Sequence, residues 1–516
     1  MKTVECQSSM DVDTKASIPS QFPTELLLYF FGFADWRSLN ALSQVCREWR
    51  SLVLSIKHRP TWMSAFSTKD SFSSALAEIR ASLKSARVEK LVSHRNVGFL
   101  FATESYLRPE LTEVSLEELA NDLPPSTKLI GAVATGVIGT KEDGCPIEVE
   151  SGPAVSFSLG NAPNVECQPF YVAVKQIPNT LTRKDKADET GIVRELIESD
   201  GVCSGLRGRS WSAFVLIAQS LPRVYRLMQK MQKDYPNALV VGGIAPRETR
   251  LFFLDSHDPS TDPMSDSNSQ SPQRGRRKLY AHKDGMVGMA FKCLTDALPL
   301  VTAVSNGYMG LEPLMRIDTV REGWITEVRN AHTQTPVGRP YEVVSSLLRN
   351  DFSVAPVAAL SDLLSPPEGR NLYRIESIDQ ENGGMLLCDV NGLEGKYLQL
   401  CTLTPTTARQ DADHRVRSLL GATPSDSMAA LAFACAGRGL DMFEMPNADS
   451  TIVRKSFPKA SIVGMFCQGE LGPTVLLDTA PGFSPTNNVG TSVLQGFTTV
   501  YTVLRVSPSL TTNPNV

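Results

Sequence analysis

The sequence lacks the patterns that mark several large protein classes. Its 516 residues contain ten cysteines without a C-x-x-C pair, and six histidines without zinc-ligand spacing. We therefore expect neither a metal site nor a disulfide framework, and no other cofactor. Cys388 and Cys467 lie within apolar runs, where a free thiol behaves as a small hydrophobic group. Reduced thiols indicate a cytoplasmic or nuclear compartment.

Charge and hydropathy exclude further classes. The net charge is −4 and the pI is about 6.0, so nothing in the overall charge favours nucleic acid or an anionic membrane as partner. No apolar run approaches the ~20 residues of a membrane span, and the first twenty residues lack the apolar region of a secretory signal. Because the P-loop and G-x-S-x-G patterns are also missing, we expect no intrinsic catalysis.

The most informative segment that is present covers residues 22–53. Phe22-Pro23 opens it with a residue that fixes φ, as a helix start allows. Apolar residues then recur at helical spacing on both sides of Asp35, a candidate N-cap; they are Leu26, Leu27, Phe30, Phe31, Leu39, Leu42, Val45, Cys46, Trp49, Leu52 and Val53. So short a segment cannot bury this much apolar surface alone. It is either a helical hairpin packed on its own domain or a surface that another protein covers.

The segment resembles an F-box, whose pattern is an opening Leu/Phe-Pro, Glu-Leu, an apolar pair, Leu and a closing Val-Cys/Ser-x-x-Trp. Phe22 in place of the commoner Leu is a mild departure. The resemblance implies docking on a Skp-type adaptor and, through it, on a cullin-RING scaffold. The adaptor-binding residues that it implies are Phe22, Pro23, Leu26, Leu27, Phe31, Leu39, Val45 and Trp49.

A strand-helix-strand unit recurs three times in the rest of the chain. Its second strand carries the frame Pro, three residues, two apolar residues and Gly, at 125–131, 236–242 and 458–464. An apolar strand precedes each frame, at 97–102, 213–218 and 430–435. Pro would end the intervening helix, and Gly would free the backbone at the end of the second strand. Such runs suit buried strands covered by helices. Further strands are predicted at 286–291, 300–304, 372–378, 384–390 and 493–504.

The repeats and the glycine-bearing strand ends resemble the FIST domain, most specifically at Ala434–Gly439, Gly464–Pro473 and Leu494–Thr498. An F-box joined to FIST portions implies a receptor that holds protein substrates for an SCF ubiquitin ligase. The FIST portions are regarded as sensory, which implies a small-molecule ligand. We therefore predict a mixed α+β and α/β fold, with a small all-α F-box followed by repeated strand-helix-strand units in one or two large sheets.

Two loops at strand ends form a candidate pocket for a ligand or substrate. Its residues are Cys435, Gly437, Arg438, Gly439, Gly469 and Glu470. One arginine and one carboxylate suit an amino acid or a peptide end; alternatively, Arg438 and Glu470 form an ion pair that only holds the loops. Arg438, as a loop residue, is expected to carry little packing. Cys435 is either a thiol activated by Arg438 or a buried cysteine at a strand end.

Composition divides the chain into seven parts. These are a flexible tail at 1–19, the F-box at 20–66, a bridging helix at 67–89, a FIST N-terminal portion at 90–254, a disordered polar loop at 255–278, a FIST C-terminal portion at 279–505 and a tail at 506–516. The bridging helix is predicted from Phe72, Leu76, Ile79 and Leu83 after a cap at Asp70-Ser71. The basic end of the loop, Arg274–Lys278, is either a solvated flank or a nuclear-import or phosphate-contacting patch.

Overall fold

A computed structural model of the chain describes residues 23–31, 34, 36–57, 61–85, 96–107, 113–162, 165–172, 206, 209–219, 221–254, 278–293, 300–348, 357–364, 371–387, 392–422, 429–474 and 492–504. It divides into two units, Met1–His58 and Arg59–Val516. The predicted disordered loop lies outside the described residues except for Lys278, and so do both predicted tails.

The first unit consists of three short helices, Thr24–Phe31, Trp36–Leu42 and Arg47–Lys57. The first helix begins directly after Pro23, whose carbonyl accepts hydrogen bonds from the backbone N–H groups of Leu26 and Leu27. The rings of Phe31 and Trp49 meet edge to face with their centroids 5.0 Å apart. The buried side chains are Leu27, Phe31, Leu39, Leu52 and Val53. Phe22 and the predicted cap Asp35 lie outside the described residues.

The second unit carries the strands. Their bounds are β1 Thr61–Ser67, β2 Asn96–Thr103, β3 Thr127–Ala134, β4 Gly136–Thr140, β5 Pro146–Val149, β6 Val155–Asn161, β7 Val165–Val172, β8 Ala213–Ala218, β9 Leu239–Ile244, β10 Leu251–Leu254, β11 Tyr280–His282, β12 Met286–Cys293, β13 Leu300–Ser305, β14 Met309–Gly310, β15 Met315–Arg321, β16 Trp324–Asn330, β17 Pro336–Gly338, β18 Val357–Ser361, β19 Asn371–Ile378, β20 Met385–Leu387, β21 Tyr397–Thr402, β22 Ala429–Cys435, β23 Ser461–Cys467, β24 Glu470–Pro473, β25 Ser492–Gln495 and β26 Thr499–Leu504. Its α-helices are Phe72–Ser85, Glu113–Asp122, Leu221–Asp234, Pro340–Leu348, Pro405–Ser418, Leu440–Phe443 and Ala448–Ser456.

The mixed fold class is confirmed, but the described strands form four sheets where the sequence predicted one or two. The first sheet has the order β1-β6-β2-β3-β10-β11, the second β25-β24-β9-β8-β12-β7 and the third β13-β26-β22-β23-β4-β5. These three share one hydrophobic core, and helices cover their other faces. In the fourth sheet, formed by β14 to β21, β18 pairs with both β19 and β21, so the sheet closes on itself around its own core.

All three strand-helix-strand units are present, as parallel pairs β2–β3, β8–β9 and β22–β23. Their helices end two or three residues before the proline of each frame, at Asp122, Asp234 and Ser456. The role predicted for the glycines needs correction, because Gly131, Gly242 and Gly464 lie inside the second strand and not at its end. An added Cβ there would lie 1.7–1.9 Å from the carbonyl oxygen of the residue opposite in the first strand. These glycines therefore allow close approach of two backbones.

The FIST portions interlock. Hairpin β4–β5 joins the third sheet, because β4 pairs with β23. In return, β24 pairs with β9 in the second sheet. β12 follows the loop at 255–278 but pairs with β7 and β8, which precede that loop. The predicted division at this loop therefore does not separate two sets of sheets.

The bridging helix is present at Phe72–Ser85, and Ser71 caps it, because its Oγ accepts a hydrogen bond from Ser74 N at 3.1 Å. The segment before it differs from the prediction. Residues 61–66, assigned to the F-box, belong to β1, which pairs with β6 in the first sheet. Trp62 anchors this strand by donating from Nε1 to Ser158 Oγ at 2.5 Å. The apolar residues of this stretch stand in adjacent pairs, Trp62-Met63 and Ala65-Phe66, and do not show the alternation that marks a half-buried strand.

Candidate functional site

The candidate pocket residues lie where the second and third sheets meet. Cys435 ends β22, and Arg438 follows in a short 3-10 turn. Glu470 begins β24 opposite Gly243 of β9. The backbone at Ile244 exchanges two hydrogen bonds with the turn before Glu470, from Ile244 N to Gly469 O and from Gln468 N to Ile244 O, both 2.9 Å. The two predicted loops are thus brought to one place.

Arg438 is completely buried, contrary to the expectation that it carries little packing. Its Nη1 donates to the carbonyls of Ser305 (3.1 Å) and Phe497 (3.3 Å), and its Nη2 donates to Ser305 Oγ (3.2 Å). Nη2 also lies 3.9 Å from Asp449 Oδ1. The guanidinium is stacked 5.3 Å from the centroid of the Phe443 ring. This arginine holds several chain segments together, and its ion-pair partner is Asp449, not Glu470.

Glu470 is equally buried. Its Oε2 accepts hydrogen bonds from the backbone N (3.3 Å) and Oγ1 (2.9 Å) of Thr498, whereas its Oε1 has no hydrogen-bond partner among the described residues. Burial raises the pKa of this carboxyl to about 8, against the opposing effects of Thr498, Arg438 and Cys435. At neutral pH most of it is protonated, so Arg438 faces a largely neutral group.

Burial, reinforced by the nearby Glu470 carboxyl, raises the pKa of Cys435 to about 11. The effect of Arg438 is smaller and opposite in sign. Of the two alternatives for Cys435, an unactivated cysteine at a strand end is therefore the better supported. Its side chain is partly exposed.

The three glycines act through the backbone. Gly437 lies beneath the Phe497 ring, since an added Cβ would be 3.3 Å from it. Gly439 packs against the Glu150 carboxyl, where a Cβ would collide at 1.9 Å. Gly469 supplies the carbonyl bonded to Ile244. Phe497 itself has a left-handed backbone, with φ 55°, which is uncommon for an aromatic residue.

Sequence reasoning missed several polar neighbours. Asp449 is buried and accepts hydrogen bonds from Tyr501 Oη and from Thr499 Oγ1. Asn306 is buried beside Ser305, and its Nδ2 has no hydrogen-bond partner within the described ranges. These residues come from distant segments without a recognisable motif. Phe497 and Thr498 did carry a signal, since they belong to one of the stretches that resemble FIST.

The adaptor-binding residues fall into two groups. Pro23, Leu26 and Val45 are exposed, Leu26 by 40% and Val45 by 61%. Leu27, Phe31 and Leu39 are buried, and Trp49 is half-buried against Phe31. Phe22 lies outside the described residues. Tyr29, Phe30 and Leu54 are also large, apolar and exposed.

The described residues contain no helix whose length and apolarity would let it cross a membrane. Nor do three or more His, Cys, Asp or Glu side chains in this part of the chain come together as a metal site would require.

Comparison with known proteins identifies three domains. A model described as F-box-like matches residues 20–60, the FIST N domain model matches 96–331, and the FIST C domain model matches 340–473. Two proteins of Mycobacterium tuberculosis, from strains CDC 1551 / Oshkosh and H37Rv, are each 23% identical over 371 residues. The match covers 69% of this chain and 82% of each relative, and both are named only as uncharacterized proteins. With an F-box-like segment followed by FIST N and FIST C domains, the chain belongs to the FIST-domain-containing F-box proteins.

Proposed function

We propose that this protein is a non-catalytic substrate receptor of an SCF-type ubiquitin ligase. The F-box-like segment would bind a Skp-type adaptor linked to a cullin-RING scaffold, and the FIST domains would hold protein substrates for ubiquitination and degradation. Such a receptor acts by proximity, because it raises the local concentration of substrate lysines near the ubiquitin-conjugating enzyme. We place this activity in the cytoplasm, the nucleus or both.

The observation that carries the proposal is the exposed apolar surface of the F-box-like unit. Five large apolar side chains, each at least 40% exposed, lie on three short helices; they are Leu26, Tyr29, Phe30, Val45 and Leu54. Scattered exposed apolar residues are normal, but this density on one small unit supports a role as a protein-binding surface.

Replacement of a buried residue of the F-box-like unit and replacement of an exposed one should have different effects. Replacement of buried Phe31 by Ala should unfold the unit, since truncation of a buried Phe costs about 3–5 kcal/mol. The variant Val45→Ser should instead leave the fold intact and weaken adaptor binding. Combined with Leu26→Ser, it should weaken binding by about 2 kcal/mol or more, as truncation of interface anchors does. Val114→Ser is a matched control, because Val114 is 65% exposed on a helix of the FIST N domain.

The experiment measures co-purification of a Skp-type adaptor with the full chain and with the variants Phe31→Ala, Leu26→Ser/Val45→Ser and Val114→Ser. We expect loss with Leu26→Ser/Val45→Ser, retention with Val114→Ser and unchanged circular dichroism in both. Undiminished adaptor binding by the double variant would reject the docking surface. Deletion of residues 20–54 should remove the adaptor and the cullin while proteins held by the FIST domains remain bound.

A second candidate function, sensing of an amino acid or peptide end, rests on the buried site. In the part of the chain that the structure describes, Arg438 Nε, Asn306 Nδ2 and Glu470 Oε1 are buried without hydrogen-bond partners, and buried polar atoms are normally paired. The two donors match a carboxylate, and Glu470 Oε1 would accept from an ammonium group, whose positive charge favours the ionised form of this carboxyl. The strained, 38% exposed Phe497 beside them is the kind of outlier found at ligand sites.

A thermal-shift screen with free amino acids and short peptides tests this candidate. A ligand at about 100 times its dissociation constant stabilises the folded state by ~2.7 kcal/mol. Glu470→Gln keeps the shape of the neutral carboxyl but cannot ionise to pair with an ammonium group, so it should abolish the shift. A shift that persists in this variant would place the ligand elsewhere, and no shift with any compound would reject the candidate.

A further inference from the structure

Two cysteines of the third sheet lie directly opposite each other. Cys435 is the last residue of β22, Cys467 is the last residue of β23, and the two are partners in the parallel register. Both belong to the free cysteines of the described residues. Adjacent strands are about 4.8 Å apart, which lies within the ~4.4–6.8 Å that a disulfide requires between Cα atoms.

Their side chains point to the same face. Side chains alternate along a strand, and Phe433 and Met465, two residues earlier in each strand, both lie in the core shared by the three sheets. Cys467 Sγ lies in that core against Gly243, where an added Cβ would be 2.2 Å from it. By the same alternation Cys435 faces this side at the end of its strand, directly before a short 3-10 turn.

The two thiols differ in access. Cys435 is partly exposed, whereas Cys467 is buried. This is the arrangement in which one thiol meets an oxidant and the other resolves the product. We propose that Cys435 and Cys467 form a reversible dithiol–disulfide pair that responds to peroxide.

The reaction balances in two steps. The Cys435 thiolate attacks one oxygen of hydrogen peroxide, which breaks the O–O bond and yields a Cys435 sulfenic acid and hydroxide; the hydroxide takes up the thiol proton as water. The Cys467 sulfur then attacks the sulfenic sulfur, the S–S bond forms, and a second water leaves with the Cys467 proton. The sulfurs are oxidised by two electrons in total and the peroxide is reduced by two. The product would fix together the loops that carry Arg438 and Glu470.

Burial raises the pKa values of both thiols, that of Cys435 to about 11. Because the thiolate is the reactive form, the pair should respond to sustained exposure to peroxide and not to a brief pulse. Below the pKa, the rate of disulfide formation should increase about tenfold for each unit of pH.

The test uses the full-length reduced protein, treated with hydrogen peroxide, alkylated under denaturing conditions, digested and analysed by mass spectrometry. We expect a cross-linked Cys435–Cys467 peptide that dithiothreitol separates. In Cys467→Ala, Cys435 should instead accumulate as a sulfenic acid that dimedone captures, whereas Cys145→Ala should behave as the wild type.

Two results would overturn the proposal. One is a Cys435 sulfinic acid in the wild type while Cys467 remains a free thiol, which would show that Cys467 does not resolve the sulfenic acid. The other is a cross-link that forms only after urea unfolding. Both are read from the wild-type chain, so the decision does not depend on the folding of a variant.

Discussion

The variant Gly464→Ala should destabilise the FIST domains more than any ordinary surface change. The added methyl carbon would lie 1.9 Å from the carbonyl oxygen of Ala432, where ordinary contact begins near 3.4 Å. β22 and β23 are both central strands, each paired on two sides, so neither moves by the missing ~1.5 Å without loss of ladder hydrogen bonds. Overpacking of a core costs ~1–3 kcal/mol, and a collision with backbone cannot be relieved by a new rotamer. We therefore expect a loss of about 3 kcal/mol or more.

Urea unfolding followed by circular dichroism measures this loss. The matched control is Gly496→Ala, because no heavy atom of the described residues lies within 4 Å of its added Cβ and its φ is not left-handed. This variant should change the unfolding free energy by less than ~0.5 kcal/mol. Gly131→Ala, with a collision at 1.7 Å, tests the equivalent position of the first strand-helix-strand repeat, in β3. Unfolding of Gly464→Ala at the urea concentration of Gly496→Ala would refute the reasoning.

Three further predictions concern the charges and the polar loop. The folded-state pKa of Glu470 is about 8, above its unfolded value of 4.5, so its contribution to stability is present below pH ~4.5 and lost as the pH rises through ~8. Urea unfolding from pH 6 to 9 should therefore show a smaller decline of the unfolding free energy in Glu470→Gln than in the wild type. An equal decline in both would contradict the assignment. Arg438→Ala should lower the unfolding free energy by about 3–5 kcal/mol, because Asp449 then stays buried without its cation. Replacement of the exposed Arg409 by Ala should change it by less than ~0.5 kcal/mol. Equal melting temperatures of the two variants would count against a structural role of Arg438. Limited proteolysis should cut first within 255–277, whose composition predicts an accessible segment. The two fragments should elute together in gel filtration, because β12 pairs with β7 and β8. Separation of the fragments would argue against this pairing.

Local patterns in the sequence were sufficient to predict the parallel units. Apolar runs, a proline after each helix and a repeated frame depend on residues close together in the chain, and all three units are present. The helix Leu221–Asp234 follows the same logic, since Val224, Leu227, Met228 and Met231 at helical spacing are all buried.

The candidate site could be predicted only in part. Cys435, Arg438 and Glu470 were found because they stand beside strand ends with glycines. The partners of Arg438 were not, since Ser305 and Asp449 reach it only through the pairing of β13 with β26 and the packing of the helix Ala448–Ser456. The burial of Arg438 was missed for the same reason, because burial of a loop depends on distant segments that cover it.

The pairing of β4 with β23 also imposes a delay during synthesis, because β4 is made long before its partner strand. Thr140 bonds to Ile462, 322 residues later in the chain. At ~5–20 residues per second, roughly 15 s to a minute pass between the appearance of β4 and that of its partner. During this interval β4 and β9 are nascent strands with an unpaired edge, a state that invites aggregation. The newly made chain should therefore depend on ribosome-associated chaperones more than its finished fold suggests, and a product that stops before β23 should be cleared instead of accumulating as a separate FIST N domain.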